Sequence, residues 1–232
     1  MNLIKDIRLF ESEGPAASAT YMRGLYGFDG MDMQDILQRL LFLLRHEGFS
    51  LGDFDHLYMN YTTSLPHGQV RRDSRGRDPY FPWFRFVDCG CDREIFGAMT
   101  MEDQRRFLTE AIRKAVRLHA DEANCAIFDS CYAKVMELGA DLEIPYKEKS
   151  GEHLRITVST TIDDETQYHP IVRIFDKEDK LLLEEQLKSC GRESFLAQFG
   201  TISLGKRTVR IEPRKSDFLR GQKVGQLKYA VK

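Results

Sequence analysis

The hydrophobic pattern of this chain changes its period near Gly139, and that change limits the fold more than any other feature. Before Gly139 the clearest apolar patterns recur every three or four residues, as on one face of an α-helix. After Gly139 apolar and polar residues alternate, as in a half-buried β-strand. The sequence therefore predicts an α+β fold, with strands and three helices in the N-terminal part and a mainly antiparallel β meander in the C-terminal part.

Three stretches of the N-terminal part have helical periodicity. The first runs from about Asp32 to Glu47, with Asp32 as the expected N-cap and Gly48 as the expected stop. The second begins at the cap Thr100, and acidic residues interleaved with its outer arginines indicate a solvated face. The third covers about 123–138. The residues expected to face the core are Met33, Ile36, Leu37, Leu40, Leu41, Leu44, Phe107, Leu108, Ala111, Ile112, Ala115, Ile127, Phe128, Cys131, Val135 and Met136.

The C-terminal part has the pattern of consecutive hairpins. Residues 154–159 predict one strand, residues 168–187 predict two strands joined by a charged turn, and residues 201–212 predict a tight hairpin. A short helix is expected within 190–200. We divide the chain into an α+β region at 1–139, an antiparallel β region at 140–213 and a basic, partly ordered tail at 214–232. The first two regions are either packed halves or one single domain.

Composition narrows the choice of partners and compartment. The 232 residues include 34 lysines and arginines against 36 aspartates and glutamates, so the net charge of −2 gives no long-range attraction to nucleic acid or to an anionic membrane. No run approaches the roughly 18 apolar residues of a membrane span. Charges at Lys5, Asp6 and Arg8 argue against a secretion signal, and five irregularly spaced cysteines are typical of reduced thiols. These features predict a cytoplasmic protein without a membrane partner.

An arginine-bearing connection at 64–82 is the candidate binding site. It separates two strand-like runs, 54–63 and 83–89, and it is much longer than a usual hairpin loop, as functional or disordered segments often are. Arginines beside aromatic side chains suit an acidic protein surface or a phosphate backbone. A solvated loop with self-paired charges is the other interpretation, and nucleic acid is the less expected partner. The candidate partner-binding residues are Arg71, Arg72, Arg75, Arg77, Tyr80, Trp83, Arg85 and Asp88.

Catalytic and cofactor signatures are weak in this sequence. Cys89 and Cys91 are too close together for a usual zinc knuckle, and histidines do not cluster. The acidic stretch at 160–170 has cation ligands on paper, but such a cluster between strands is more often a hairpin turn. Neither a nucleophile elbow nor a phosphate-binding glycine loop is present. The sequence thus predicts a non-enzymatic protein with no metal and no cofactor, and an enzyme that uses the 64–82 connection is the alternative.

Residues 54 to about 116 resemble bacterial immunity proteins that are encoded beside polymorphic toxins. The similarity rests on the order FDHLYMNYTT, an arginine-containing loop, PWFRFVDCGCDREIFG and the helix MTMEDQRRFLTEAIRKAV, and especially on the run from Trp83 to Asp88. The resemblance implies a cytoplasmic, non-enzymatic inhibitor that binds and blocks a cognate toxin protein.

Overall fold

The computed structural model describes residues 2–13, 20–22, 26, 33–73, 77–215 and 221–231. The chain folds as two compact units, Met1–Glu137 and Leu138–Lys232. Helices accompany a mixed sheet in the first unit, and antiparallel strands dominate the second. The expected α+β class is confirmed.

The first unit combines one mixed sheet with helices. In chain order its elements are β1 (Asp6–Ser12), β2 (Thr20–Tyr21), α1 (Gln34–His46), β3 (His56–Thr62), β4 (Val70–Arg72), β5 (Phe84–Gly90), α2 (Arg93–Gly97), α3 (Met101–His119) and α4 (Glu122–Leu138). The strand order is β2-β1-β3-β5-β4. Strands β1, β3 and β5 are parallel, whereas β2 and β4 are antiparallel to their neighbours.

The connection at 64–82 is long because β3 and β5 are parallel. A parallel pair needs a connection that returns the chain to the same end of the sheet, which a tight hairpin cannot do. The sequence predicts a loop throughout this segment, and that prediction is wrong for 70–72, which form the edge strand β4. Gly90 allows the turn before β4 to approach β5, because a Cβ there would lie 1.8 Å from the Pro66 carbonyl oxygen.

The three predicted helical segments correspond to α1, α3 and α4. Helix α1 begins at Gln34, and the expected cap Asp32 lies outside the described residues. Its apolar residues are buried as predicted, and Gly48 follows the helix with a φ of 76°, a left-handed conformation that favours glycine. The cap of α3 is confirmed, because Thr100 Oγ1 accepts a hydrogen bond from the Asp103 backbone N–H at 3.2 Å.

Helix α4 differs from the prediction at two expected core positions, and Ile127 is one of them because it is only half-buried. Its buried residues form a narrow stripe of Asn124, Phe128, Cys131 and Val135. Met136 lies beside that stripe and is exposed, so the prediction that it faces the core is wrong.

The outer face of α3 is a charged surface of ion pairs, in which Arg106 pairs with Glu102 and Arg113 pairs with Asp129 of α4. None of the helices in the described ranges is long and apolar enough to cross a membrane.

The second unit contains two antiparallel sheets in its described part, in the orders β6-β7-β8-β9 and β10-β11-β12. In chain order its elements are a 3-10 turn (Gly139–Asp141), β6 (Ile144–Ser150), β7 (Leu154–Ile162), β8 (Tyr168–Asp176), β9 (Leu181–Gln186), α5 (Arg192–Gln198), β10 (Thr201–Leu204), β11 (Thr208–Glu212) and β12 (Leu227–Ala230). The predicted β8–β9 and β10–β11 hairpins and the short helix within 190–200 are confirmed.

The expected tail at 214–232 is wrong in its last part. Strand β12 pairs with β11, and Tyr229 lies opposite Val209. Tyr229 and Val231 are both buried, so these residues extend the apolar face of the three-stranded sheet. Four residues are too few to give a clear period, which is why the sequence did not reveal this strand.

Candidate functional site

The predicted binding residues lie on different surfaces of the first unit. They comprise Arg71 and Arg72 on β4, Arg77 and Tyr80 in the rest of the connection, Trp83 directly before β5, Arg85 and Asp88 on β5, and Arg75, which lies outside the described residues. Neighbouring side chains along a strand point to opposite faces of a sheet. In the β4–β5 register, Arg71 is opposite Asp88 and Arg72 is opposite Val87. Arg71 and Asp88 therefore share one face, and Arg72 and Arg85 share the other.

Asp88 belongs to a buried polar row across the sheet. Ser12 Oγ donates to Asn60 Oδ1 at 3.0 Å, and Asn60 Nδ2 donates to Asp88 Oδ1 at 2.9 Å. Arg71 Nε lies 3.8 Å from Asp88 Oδ2 at the sheet edge. Asp88 is only 5% exposed, and its carboxylate is the acceptor for a side chain of the neighbouring strand β3.

Four aromatic side chains at the start of β5 form what we call the aromatic patch: Tyr80, Phe81, Trp83 and Phe84. Tyr80 is 81% exposed, Phe81 is 47% exposed and Trp83 is 40% exposed. The rings of Phe81 and Phe84 stack with their centroids 4.9 Å apart, and Trp83 meets Phe84 edge-on at 6.1 Å. Phe84 also contacts Tyr58 of β3, with ring centroids 4.7 Å apart. The patch is thus anchored to the sheet on one side and open on the other.

Hydrogen bonds fix the turn that presents this patch. Asp78 Oδ1 accepts from the backbone N–H groups of Tyr80 and Phe81, at 2.8 Å in each case. Arg77 Nε donates to the Pro82 carbonyl oxygen at 2.8 Å. An ordered turn loses less conformational entropy when it binds a partner than a flexible loop does. The segment from Arg77 to Trp83 is therefore held in one conformation by its own hydrogen bonds.

Three of the predicted arginines form a second group: Arg77 and Arg85 lie against the Phe54 ring, and Arg72 lies at the C-terminal end of α3. The cationic cluster consists of Phe54, Arg72, Arg77, Arg85 and His119. The guanidinium carbon of Arg85 lies 3.6 Å from the centre of the Phe54 ring, and that of Arg77 lies 5.2 Å from it. Arg72 Nε donates to the carbonyl oxygen of Leu118, the residue before His119, at 3.1 Å.

Burial and mutual repulsion both act on the cationic cluster. Burial, and after it the charges of Arg85 and Arg72, lower the pKa of His119 to about 4. Burial and the charges of Arg72 and Arg77 also lower the pKa of Arg85. Arg85 Nε and His119 Nε2 are buried and have no hydrogen-bond partner within the described part of the chain. The cluster therefore holds a neutral imidazole and unused hydrogen-bonding groups at neutral pH.

Buried cysteines of the first unit lack the environment of reactive thiols. Burial raises the pKa of Cys89 to about 12, and burial also raises the pKa of Cys91. A thiol with a raised pKa is a poor nucleophile and a poor metal ligand at neutral pH. Across the described ranges, no three histidine, cysteine or carboxylate side chains are placed to hold a metal ion. The acidic stretch at 160–170 is the β7–β8 turn, where His169 Nε2 lies 2.8 Å from Asp163 Oδ2.

A pocket of about 240 Å³ in the second unit is lined by Pro170, Leu187, Lys188, Cys190, Ser194, Gln198, Val224 and Leu227. Two of its polar side chains are engaged: Ser194 Oγ donates to Gln222 Oε1 at 2.7 Å, and Gln198 Nε2 donates to the Gly225 carbonyl oxygen at 2.8 Å. Burial raises the pKa of the Cys190 thiol. The pocket therefore has no activated nucleophile among its described lining residues.

Sequence reasoning missed Phe54, Phe84 and His119 as members of these surfaces. Phe84 follows Trp83 directly, so its share in an aromatic patch could have been inferred from adjacency. His119 comes from α3, and only the fold brings it beside Arg72 and Arg85. No protein-family model, curated protein or solved structure matches this chain.

Proposed function

We propose that this protein is a non-enzymatic, cytoplasmic inhibitor of the immunity type, which binds a cognate bacterial toxin through the aromatic patch. The observation that supports this proposal best is the exposure of Tyr80, Phe81 and Trp83 on a hydrogen-bonded turn. Exposed aromatic groups gain roughly 25 cal/mol for each Å² of apolar surface that a partner covers. Tyrosine, tryptophan and arginine are also the residue types that dominate binding energy at protein interfaces.

Arg77 adds polar specificity at the margin of the aromatic patch. Its Nη2 lies 3.6 Å from Asp53 Oδ2, and both side chains are mostly exposed. An exposed ion pair contributes little to stability, about 0–1 kcal/mol. Arg77 can therefore exchange Asp53 for a carboxylate of the partner at small cost, while its bond to Pro82 keeps the turn in place.

The toxin-directed form of the proposal rests on the sequence resemblance. The aromatic patch lies inside the stretch from 54 to about 116 that resembles immunity proteins, and Trp83 and Phe84 begin its most similar run. A blocking protein needs a preformed surface with aromatic anchors and needs no catalytic groups. The aromatic patch is a surface of this kind.

Nucleic-acid binding is the second candidate, because the cationic cluster offers a specific observation in its favour. Arg72, Arg77 and Arg85 are suited to phosphates, and exposed aromatic rings can stack on unpaired bases. The net charge of −2 supplies no general attraction to a polyanion, which places this candidate second.

The proposal is tested by growth rescue. The gene beside the one for this chain is expected to encode a toxin whose expression stops growth, and co-expression of this chain is expected to restore it. The purified pair should then form a stable complex at moderate salt. Failure of the neighbouring product to bind, together with salt-dependent binding of single-stranded DNA, would replace the proposal with the nucleic-acid candidate.

A further inference from the structure

Arg85 lacks an anionic partner in the described part of the first unit. Its guanidinium lies against the Phe54 ring, and its Nε is buried without a hydrogen bond. Other partly buried arginines of this unit are paired, as Arg113 is with Asp129 at 2.7 Å. Arg85 as a whole is half-buried, and burying its Nε without a counter-charge or hydrogen bond is costly, since buried charged groups are normally paired.

The strand register brings a second arginine to Arg85. Arg72 lies opposite Val87, two residues after Arg85 on β5, so Arg72 and Arg85 are diagonal neighbours on one face of the sheet. Such neighbours are about 7–8 Å apart at their Cα atoms, within reach of long side chains. Two like charges in this arrangement repel each other, and the pKa of Arg85 is lowered first by burial and then by the charges of Arg72 and Arg77.

Arg77, Arg72 and His119 are the other polar residues of the cationic cluster. Arg77 shares the Phe54 ring with Arg85, which places both guanidinium groups beside one apolar surface. Arg72 satisfies the Leu118 carbonyl oxygen, so the negative end of α3 is already covered by a cation. His119 Nε2 is the second buried polar atom that has no partner in the described ranges.

We propose that Arg72, Arg77, Arg85 and His119 form a binding site for a phosphate group. Arg77 and Arg85 lie beside the same ring, Arg85 has no counter-charge in the described ranges, and an anion bound beside them would pair Arg85 and relieve the repulsion among the arginines. Phosphate suits this site better than a single carboxylate does, because its additional charge and oxygens can serve several guanidinium groups at once. The site lies beside the aromatic patch and shares Arg77 with the margin of that patch, but phosphate binding there does not require toxin binding.

The test is a titration of the full chain with inorganic phosphate, followed by NMR of the arginine Nε–Hε groups and the histidine rings. We expect saturable shifts of Arg85 and His119 in phosphate and none in chloride of equal ionic strength. The pKa of His119 should rise from about 4 in bound protein, because a nearby anion favours the charged imidazole. If single-stranded DNA displaces the bound phosphate, the natural ligand is the phosphate of a nucleic-acid backbone. If it does not, the natural ligand is a small phosphorylated molecule. Both outcomes support the site.

A pair of matched variants distinguishes phosphate binding at this site from a general effect of removing positive charge. Arg85→Met keeps an unbranched apolar stem beside Phe54 and should weaken phosphate binding at least about tenfold. Arg113→Met removes a paired arginine elsewhere on the unit and should leave the affinity unchanged. If Arg85→Met fails to fold, Arg77→Met serves instead and should also weaken binding. Absence of saturable shifts in the wild-type protein, or equal phosphate affinity in the folded Arg85 or Arg77 variant, overturns the proposal without bearing on toxin inhibition.

Discussion

Asn60 Nδ2 donates a hydrogen bond to Asp88 Oδ1 at 2.9 Å, between the neighbouring parallel strands β3 and β5. Both residues are almost completely buried. A carboxylate that the sequence assigns to a binding surface therefore holds the centre of the sheet together. The arginine opposite it, Arg71, is exposed at the edge of the sheet, and its Nε lies 3.8 Å from Asp88 Oδ2.

Asp88→Ala should lower the free energy of unfolding by about 1–3 kcal/mol, because the amide of Asn60 would lose its acceptor in a buried position. Chemical denaturation measures this change. The control Asp53→Ala removes an exposed carboxylate and should change stability by less than about 0.5 kcal/mol. Equal effects of the two substitutions would show that the polar row does not stabilise the fold.

Leu40→Ala should lower the free energy of unfolding by about 2–5 kcal/mol, because Leu40 is buried within α1 and its loss leaves a cavity. Met136→Ala is the matched control, since Met136 is exposed on α4 and should tolerate truncation. Denaturant melts of both variants give the comparison. A loss below about 0.5 kcal/mol for Leu40→Ala would contradict the packing of α1.

His119 should make the first unit less stable in mild acid. Its pKa is about 4 in the folded protein and 6.5 as a free side chain, so the unfolded chain binds the proton more readily between these values. The stability that the neutral imidazole contributes is thus complete above about pH 6.5 and is lost as the pH falls toward about 4. His119→Gln should reduce the slope of unfolding free energy against pH in this window. If unfolding free energy depends on pH in the same way in the wild type and in His119→Gln, His119 is not the source of this pH dependence.

The local sequence pattern was sufficient to predict α1, α3, α4 and the C-terminal hairpins, because the apolar period and the capping or turn residues of each element lie within a short stretch of sequence. Thr100 and Gly48 mark helix ends through chemistry that acts within one turn. The pairing of β3 with β5 could not be predicted, since a period of two shows that a segment is a strand and leaves its partner and direction open.

The candidate site was predicted only where it is contiguous in sequence. Tyr80 and Trp83 lie in the aromatic patch, close to each other along the chain. The separation of Arg71 from Arg72 follows from β4, a three-residue strand without a recognisable period. His119 joins Arg85 through tertiary packing alone, so no spacing in the sequence could have indicated that neighbourhood.

Loss of toxin affinity on truncation of the aromatic patch tests the central claim most directly. Calorimetry should compare the wild-type chain with Tyr80→Ala combined with Trp83→Ala, after thermal melts show that the variant is folded. We expect its affinity for the cognate toxin to fall at least about tenfold, or 1.4 kcal/mol. The control, Met101→Ala combined with Met136→Ala, removes exposed apolar side chains elsewhere on the same unit and should bind like the wild type. Wild-type affinity in the folded Tyr80 and Trp83 variant would contradict the assignment of this surface.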